Sequence, residues 1–149
     1  MKSIWTSKMA KIVVDICMTI FLILSFVRWH DSNFAFHAIV GTACGLFFAL
    51  HVHIHRRWLA AVTKSWLAGK LNKTLKWKYI VNMLLLAVWG VSIASGFAAV
   101  GYFVGDIEWM AVFSSIHGIT ARVGLGLVVV HVFQHRKQIA SYIGIGKNK

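Results

Sequence analysis

Between Phe36 and Trp58 the chain reads FHAIVGTACGLFFALHVHIHRRW, apolar enough to lie in a membrane, yet it carries His37, His51, His53 and His55. Ionisable side chains inside a bilayer are costly and rare, so each is a functional hypothesis by default. The stretch also recurs. At an offset of 80 residues His37 falls on His117, His51 on His131 and His55 on His135, within IHGITARVGLGLVVVHVFQHRKQI. Few other identities accompany them, so what repeats is a chemical device rather than a text. Histidines 14 residues apart on an α-helix differ by about 1400°, which is ~40° short of four turns, and stand about 21 Å apart along the axis. They leave nearly one face of the helix, and each falls near one side of a hydrocarbon core ~30 Å thick.

The rest of the chain agrees with a membrane. It has 149 residues, 58% of them hydrophobic, and a mean hydropathy of +0.70, which together predict one compact membrane domain, 1–149. Against 16 Lys and Arg stand only Asp15, Asp31, Asp106 and Glu108, for a net charge of +12. A nucleic-acid partner is excluded as the explanation, because the basic residues sit mainly at the ends of the apolar runs, the distribution of the positive-inside rule. Cys17 and Cys44 lie inside apolar runs and form neither CxxCH nor CxxC, so neither covalent haem attachment nor a cysteine metal site is indicated. They read as small buried hydrophobes.

Taken in order, a basic arm with Lys2, Lys8 and Lys11 precedes a helix expected at about 10–29. The arm and run could be a signal peptide, but no small-residue cleavage site precedes Arg28, so the segment reads as a retained span. Asp15 lies one turn after Lys11 and is expected to pair with it. A second helix is expected over 36–58, where Gly41 and Gly45 either admit a flat macrocycle beside His37 or serve close helix packing. Residues 59–78, with five lysines interleaved with Trp and Leu, read as a basic amphipathic connection on the membrane surface. A third helix over 79–104 has no histidine and a small-residue side at Gly90, Ser92, Ser95 and Gly96. After a short acidic loop, a fourth helix is expected over 110–135, followed by a basic tail.

The expected fold is therefore an all-α integral membrane four-helix bundle. Basic residues in the arm, the 59–78 segment and the tail place both termini in the cytoplasm. Helices two and four then run in the same direction, so their histidines can face each other in two pairs. A bis-imidazole pair can clamp a haem iron axially within a helical bundle. We therefore expect two b-type haems between helices two and four, one ligated by His37 and His117, the other by His51 and His131. His55 and His135 share the same face and compete as ligands of the inner haem. Beside Arg56, Arg57 and Arg136 they look like headgroup-level residues that could instead meet haem propionates or shape a quinone pocket. His53 points away from them and reads as an interfacial or packing residue. Arg28 and His30, at the outer boundary, are candidates for outer propionates. Arg122, inside helix four, needs an anion, either a propionate or Asp106 or Glu108.

The pattern His37-x3-Gly41, then His51-x3-His55-x2-Trp58, a basic segment, Asn82 to Gly96, and the second set His117, His131 and His135 resembles the small four-helix di-haem cytochrome b-like proteins of bacterial membranes. Many of these are grouped as a domain of unknown function within the cytochrome b-like superfamily. The resemblance runs from Ala10 to Tyr142. It implies a multi-pass protein of the bacterial cytoplasmic membrane that carries electrons between a quinone or a redox partner subunit and an acceptor across the membrane, alone or in a homo- or hetero-oligomer. The chain has no proline and no Pro-Glu-Trp-Tyr motif, so a complete respiratory quinol-oxidising site is not expected. No nucleophile–base pair or acidic dyad is present, so any catalysis would belong to a partner subunit. Two other readings compete: a histidine-lined pathway for a divalent metal, using His51 with His55 or His131 with His135, and a non-redox membrane anchor.

Overall fold

In the computed structural model, residues 8–27, 34–105 and 108–142 are described, and their regular structure is entirely helical. α1 spans Lys8–Phe26, α2 Phe34–Leu67, α3 Lys73–Gly105 and α4 Ala111–Tyr142, with a 3-10 turn, Glu108–Met110, ahead of α4. Each of the four α-helices is long and apolar enough to cross a membrane. Their surfaces carry what water would not tolerate. Ile16, Ile20 and Ile23 on α1 and Val129 and Phe133 on α4 are all at least half exposed, an outward apolar cover suited to hydrocarbon. The chain has the build of a multi-pass membrane protein.

The helices run longer than the apolar runs that announce them. The segment 59–78, read from sequence as a surface connection, is mostly helical: α2 continues to Leu67 and α3 begins at Lys73. A helix that leaves the hydrocarbon needs no further apolar run, so basic residues mark the membrane boundary rather than the helix end. Local signals set the true ends. Gly69 takes φ +69°, its N–H donates to the Trp66 carbonyl at 2.9 Å, and the Lys70 N–H donates to the Ser65 carbonyl at 2.9 Å. This is a Schellman cap, which favours glycine at the left-handed position. Asn72 then caps α3, its Oδ1 accepting the Leu75 N–H at 2.8 Å.

The chain divides into two compact units, residues 1–64 and 65–149. In the second, α3 and α4 pack antiparallel through a ladder of rungs. Asn82 meets His131. A Cβ on Gly124 would lie 3.2 Å from the Trp89 indole, and one on Gly96 would lie 3.0 Å from the His117 ring. Each rung steps seven residues along both helices, which is two turns less ~20° and keeps one seam facing its partner. Glycine at positions 96 and 124 is what lets an aromatic or imidazole ring lie against the opposing backbone.

The first unit carries matching side-chain contacts without so close a seam. Asp15 on α1 meets His51 on α2, and the Phe21 and Phe47 rings stack at 5.4 Å, so these helices are also antiparallel. One seven-residue step from the Asp15–His51 rung come Leu22 and Cys44, both buried. Cys44 is the counterpart of Gly124 at the 80-residue offset, and Asp15 and Leu22 stand to α1 as Asn82 and Trp89 stand to α3, at a second offset of 67. The positional repeat thus extends beyond the histidines to their partners on α1 and α3.

Candidate histidine-ligand sites

Three of the matched histidines have their Nδ1 engaged by the preceding helix. His51 Nδ1 donates to Asp15 Oδ1 at 2.7 Å, His131 Nδ1 to Asn82 Oδ1 at 2.8 Å, and His117 Nδ1 to the Ser92 carbonyl at 2.8 Å, with the Ser92 hydroxyl 3.4 Å away. Every acceptor is an oxygen that fixes the proton on Nδ1, so in the neutral ring the lone pair sits on Nε2. Among the described residues Ser92 is the most buried, at 2% exposure. Its hydroxyl is near the His117 ring, while Ser95 returns its hydroxyl to the Val91 carbonyl at 2.7 Å. The small residues of α3 therefore do more than allow close packing: Ser92 and Gly96 together seat one imidazole.

Asp15 was expected to pair with Lys11. No such ion pair forms. The carboxylate meets His51 instead, with the two side chains 38% and 23% exposed. A carboxylate in the middle of an apolar span is thus explained by a histidine 36 residues later in the chain.

One turn beyond each of these histidines lies another. The His51 and His55 rings are 4.7 Å apart and inclined at 44°, and the His131 and His135 rings are 4.7 Å apart at 34°. The equal spacing follows from i and i+4 positions on one helical face. In the second unit the two members of the pair have different neighbours. His135 Nδ1 lies 3.3 Å from Gln138 Oε1 on its own helix, whereas His131 reaches across to α3. In the first unit, ligand atoms of Asp15, His51 and His55 all lie within 4.8 Å of one another, a grouping that could hold a metal ion. His53 is exposed and bonds to Arg56, which also donates to the His53 carbonyl at 3.0 Å.

Of the remaining expected site residues, His37 is exposed near the start of α2, and a Cβ on the neighbouring Gly41 would meet nothing within 4 Å. Arg122 is exposed on α4 and makes no ion pair with Glu108. The proposed roles of Arg28 and His30, and of Asp106 as a partner for Arg122, fall outside the described residues. The histidine partners that sequence reading overlooked are Asn82 and the Ser92 carbonyl. A signal for Asn82 exists: it is a polar residue in an otherwise apolar run and stands to α3 as Asp15 stands to α1.

The chain matches no protein-family model, no curated protein and no solved structure.

Proposed function

We propose that the protein is a di-haem b-type membrane cytochrome that passes electrons across the bilayer between a quinone or redox partner and an acceptor on the other side. One observation carries the proposal. Equivalent positions on α1 and α3, Asp15 and Asn82, accept the Nδ1–H of equivalent histidines on α2 and α4, His51 and His131. Histidines that ligate metals almost always donate their second ring nitrogen in this way, which fixes the tautomer and turns Nε2 to the metal. A packing histidine has no need of the same arrangement twice, and His117 adds a third case through Ser92.

The residues fit a bis-histidine haem. Neutral imidazole is its proper axial ligand, and the open space beside Gly41 leaves room next to His37 for a flat macrocycle. His37 with His117 and His51 with His131 would supply the axial nitrogens. The choice of His51 and His131 as ligands is supported by the acceptors that α1 and α3 offer them. A haem iron supplies one-electron redox chemistry. The chain's own part is to orient the imidazoles, exclude water and set the charge around them. The resemblance to cytochrome b-like proteins of bacterial membranes supports this reading through the histidine pattern. The positive-inside bias supports cytoplasmic termini, and successive crossings alternate, which gives α2 and α4 a common direction.

The test is a pyridine haemochrome assay on purified protein, with reduced-minus-oxidised spectra and haem counted per chain. Two b-type haems per chain are expected. Folded protein expressed with haem available and containing none would overturn the proposal.

A second reading draws on the grouping of Asp15, His51 and His55. A carboxylate and two imidazoles form a common donor set for a divalent transition metal. In that case elemental analysis would find zinc, nickel or cobalt bound in place of haem, and His55→Ala would abolish binding while His117→Ala would not.

A further inference from the structure

Beyond the histidine ladder, the first turns of α3 and the last turns of α4 border an open cavity of about 400 Å³ whose lining includes Lys73, Lys78, Trp77, Phe133, Gln134 and Arg136. Every charged side chain in that lining is cationic. Their countercharge does not come from the same unit. Its only acidic side chains, Asp106 and Glu108, follow the far end of α3, whose 33 residues measure about 50 Å. Arg136 is already held in place, its guanidinium 4.1 Å from the centre of the Phe133 ring and donating to the Phe133 carbonyl at 2.9 Å. Gln134 contributes the opposite need. Its Oε1 is buried with no hydrogen-bond partner among the described residues, and a buried acceptor left in that state is destabilising.

We propose that this cavity is a binding site for the headgroup of an anionic phospholipid that carries free hydroxyls, of the phosphatidylglycerol type. The phosphodiester meets Lys73, Lys78 and Arg136, and Gln134 turns its covered Oε1 outward to accept a headgroup hydroxyl. Trp77 and Phe133, 58% and 63% exposed, lie beside the cations, and tryptophan is a usual anchor at the headgroup layer. Basic pockets between transmembrane helices take lipid headgroups in this manner. A lipid is favoured over a soluble phosphate because the same helices continue from the cavity into exposed apolar surface that acyl chains cover.

The full chain is reconstituted in nanodiscs of phosphatidylcholine with a minor fraction of phosphatidylglycerol, and the affinity for the minor lipid is measured by native mass spectrometry. Each cation near the surface contributes roughly fivefold. Lys73→Gln, Lys78→Gln and Arg136→Gln should each weaken retention by about that factor, and the triple variant by of the order of a hundredfold. A control that removes the same charge from Lys64, Lys70 and Lys137 should retain the lipid, and Gln134→Leu should remove the preference for phosphatidylglycerol over phosphatidylserine. Equal loss in the control would reduce the effect to overall charge and overturn the site. Displacement of the lipid by inorganic phosphate at matching affinity would make the occupant a soluble anion. A fall in haem content in the triple variant without any change in lipid retention would assign the cations to the cofactor. The single variants decide the matter if the triple variant does not fold.

Discussion

At the scale of single residues, Asp15 has the clearest consequences. Its carboxylate lies 2.7 Å from His51 Nδ1, whereas the equivalent His131 is served by a neutral amide. A charged acceptor pushes more electron density into the imidazole than a neutral one. Under the cytochrome proposal, Asp15→Asn should raise the reduction potential of the haem bound through His51 and leave the other unmoved, as read by a spectroscopic redox titration. Replacing either acceptor outright, Asp15→Ala or Asn82→Ala, should weaken cofactor retention about 10–100-fold, the usual effect of losing an outer-shell partner. The paired variants His51→Ala and His55→Ala separate ligand from neighbour. The first should remove one haem per chain and the second should leave both, and the opposite result would move the ligand one turn along α2. The candidate histidines were visible in the sequence because they repeat at a fixed offset. Their acceptors were not, because each lies 36, 49 or 25 residues away on another helix, and no local pattern joins them. Asp15 shows the difficulty: the only partner within helical reach was Lys11, and the real one became apparent only once α1 packed on α2.

At the scale of the elements, four spanning helices were readable because hydropathy survives any arrangement of the helices. Their ends were not, because Lys64, Lys70 and Lys73 stop an apolar run without stopping a helix. The cap at Gly69 and the N-cap at Asn72 were local signals that could have been read, as both residue types favour those positions. Gly69→Ala forces an L side chain into the left-handed region and should cost about 1 kcal/mol, lowering the thermal midpoint in detergent. The seam between α3 and α4 makes a sharper prediction. Alanine at Gly96 would place its Cβ 3.0 Å from His117 Nδ1, and that ring is held by its bond to Ser92, so it cannot retreat without losing it. Gly96→Ala should destabilise the α3–α4 pair by about 1–3 kcal/mol and disturb His117, whereas Gly90→Ala, where a Cβ meets nothing within 4 Å, should be tolerated. Thermal unfolding of the two variants side by side checks this.

For the whole molecule, charge is distributed more unevenly than along any single helix. The basic residues gather at the arm, the α2–α3 turn and the tail, while Asp106 and Glu108 lie between α3 and α4. Under the positive-inside rule this distribution argues for cytoplasmic termini, the orientation the cytochrome proposal uses. Fused to the tail, green fluorescent protein should fluoresce and alkaline phosphatase should be inactive; the reverse pattern would invert the orientation.

The Asp15–His51 contact lies wholly within residues 1–64, and the Asn82–His131 and Ser92–His117 contacts wholly within 65–149. The first hairpin can therefore complete its own histidine setting while the ribosome is still making the second, and the second needs nothing from the first to do the same. Biogenesis becomes the delivery of two finished halves to the bilayer, each arriving with its imidazole already turned and protonated on the correct nitrogen.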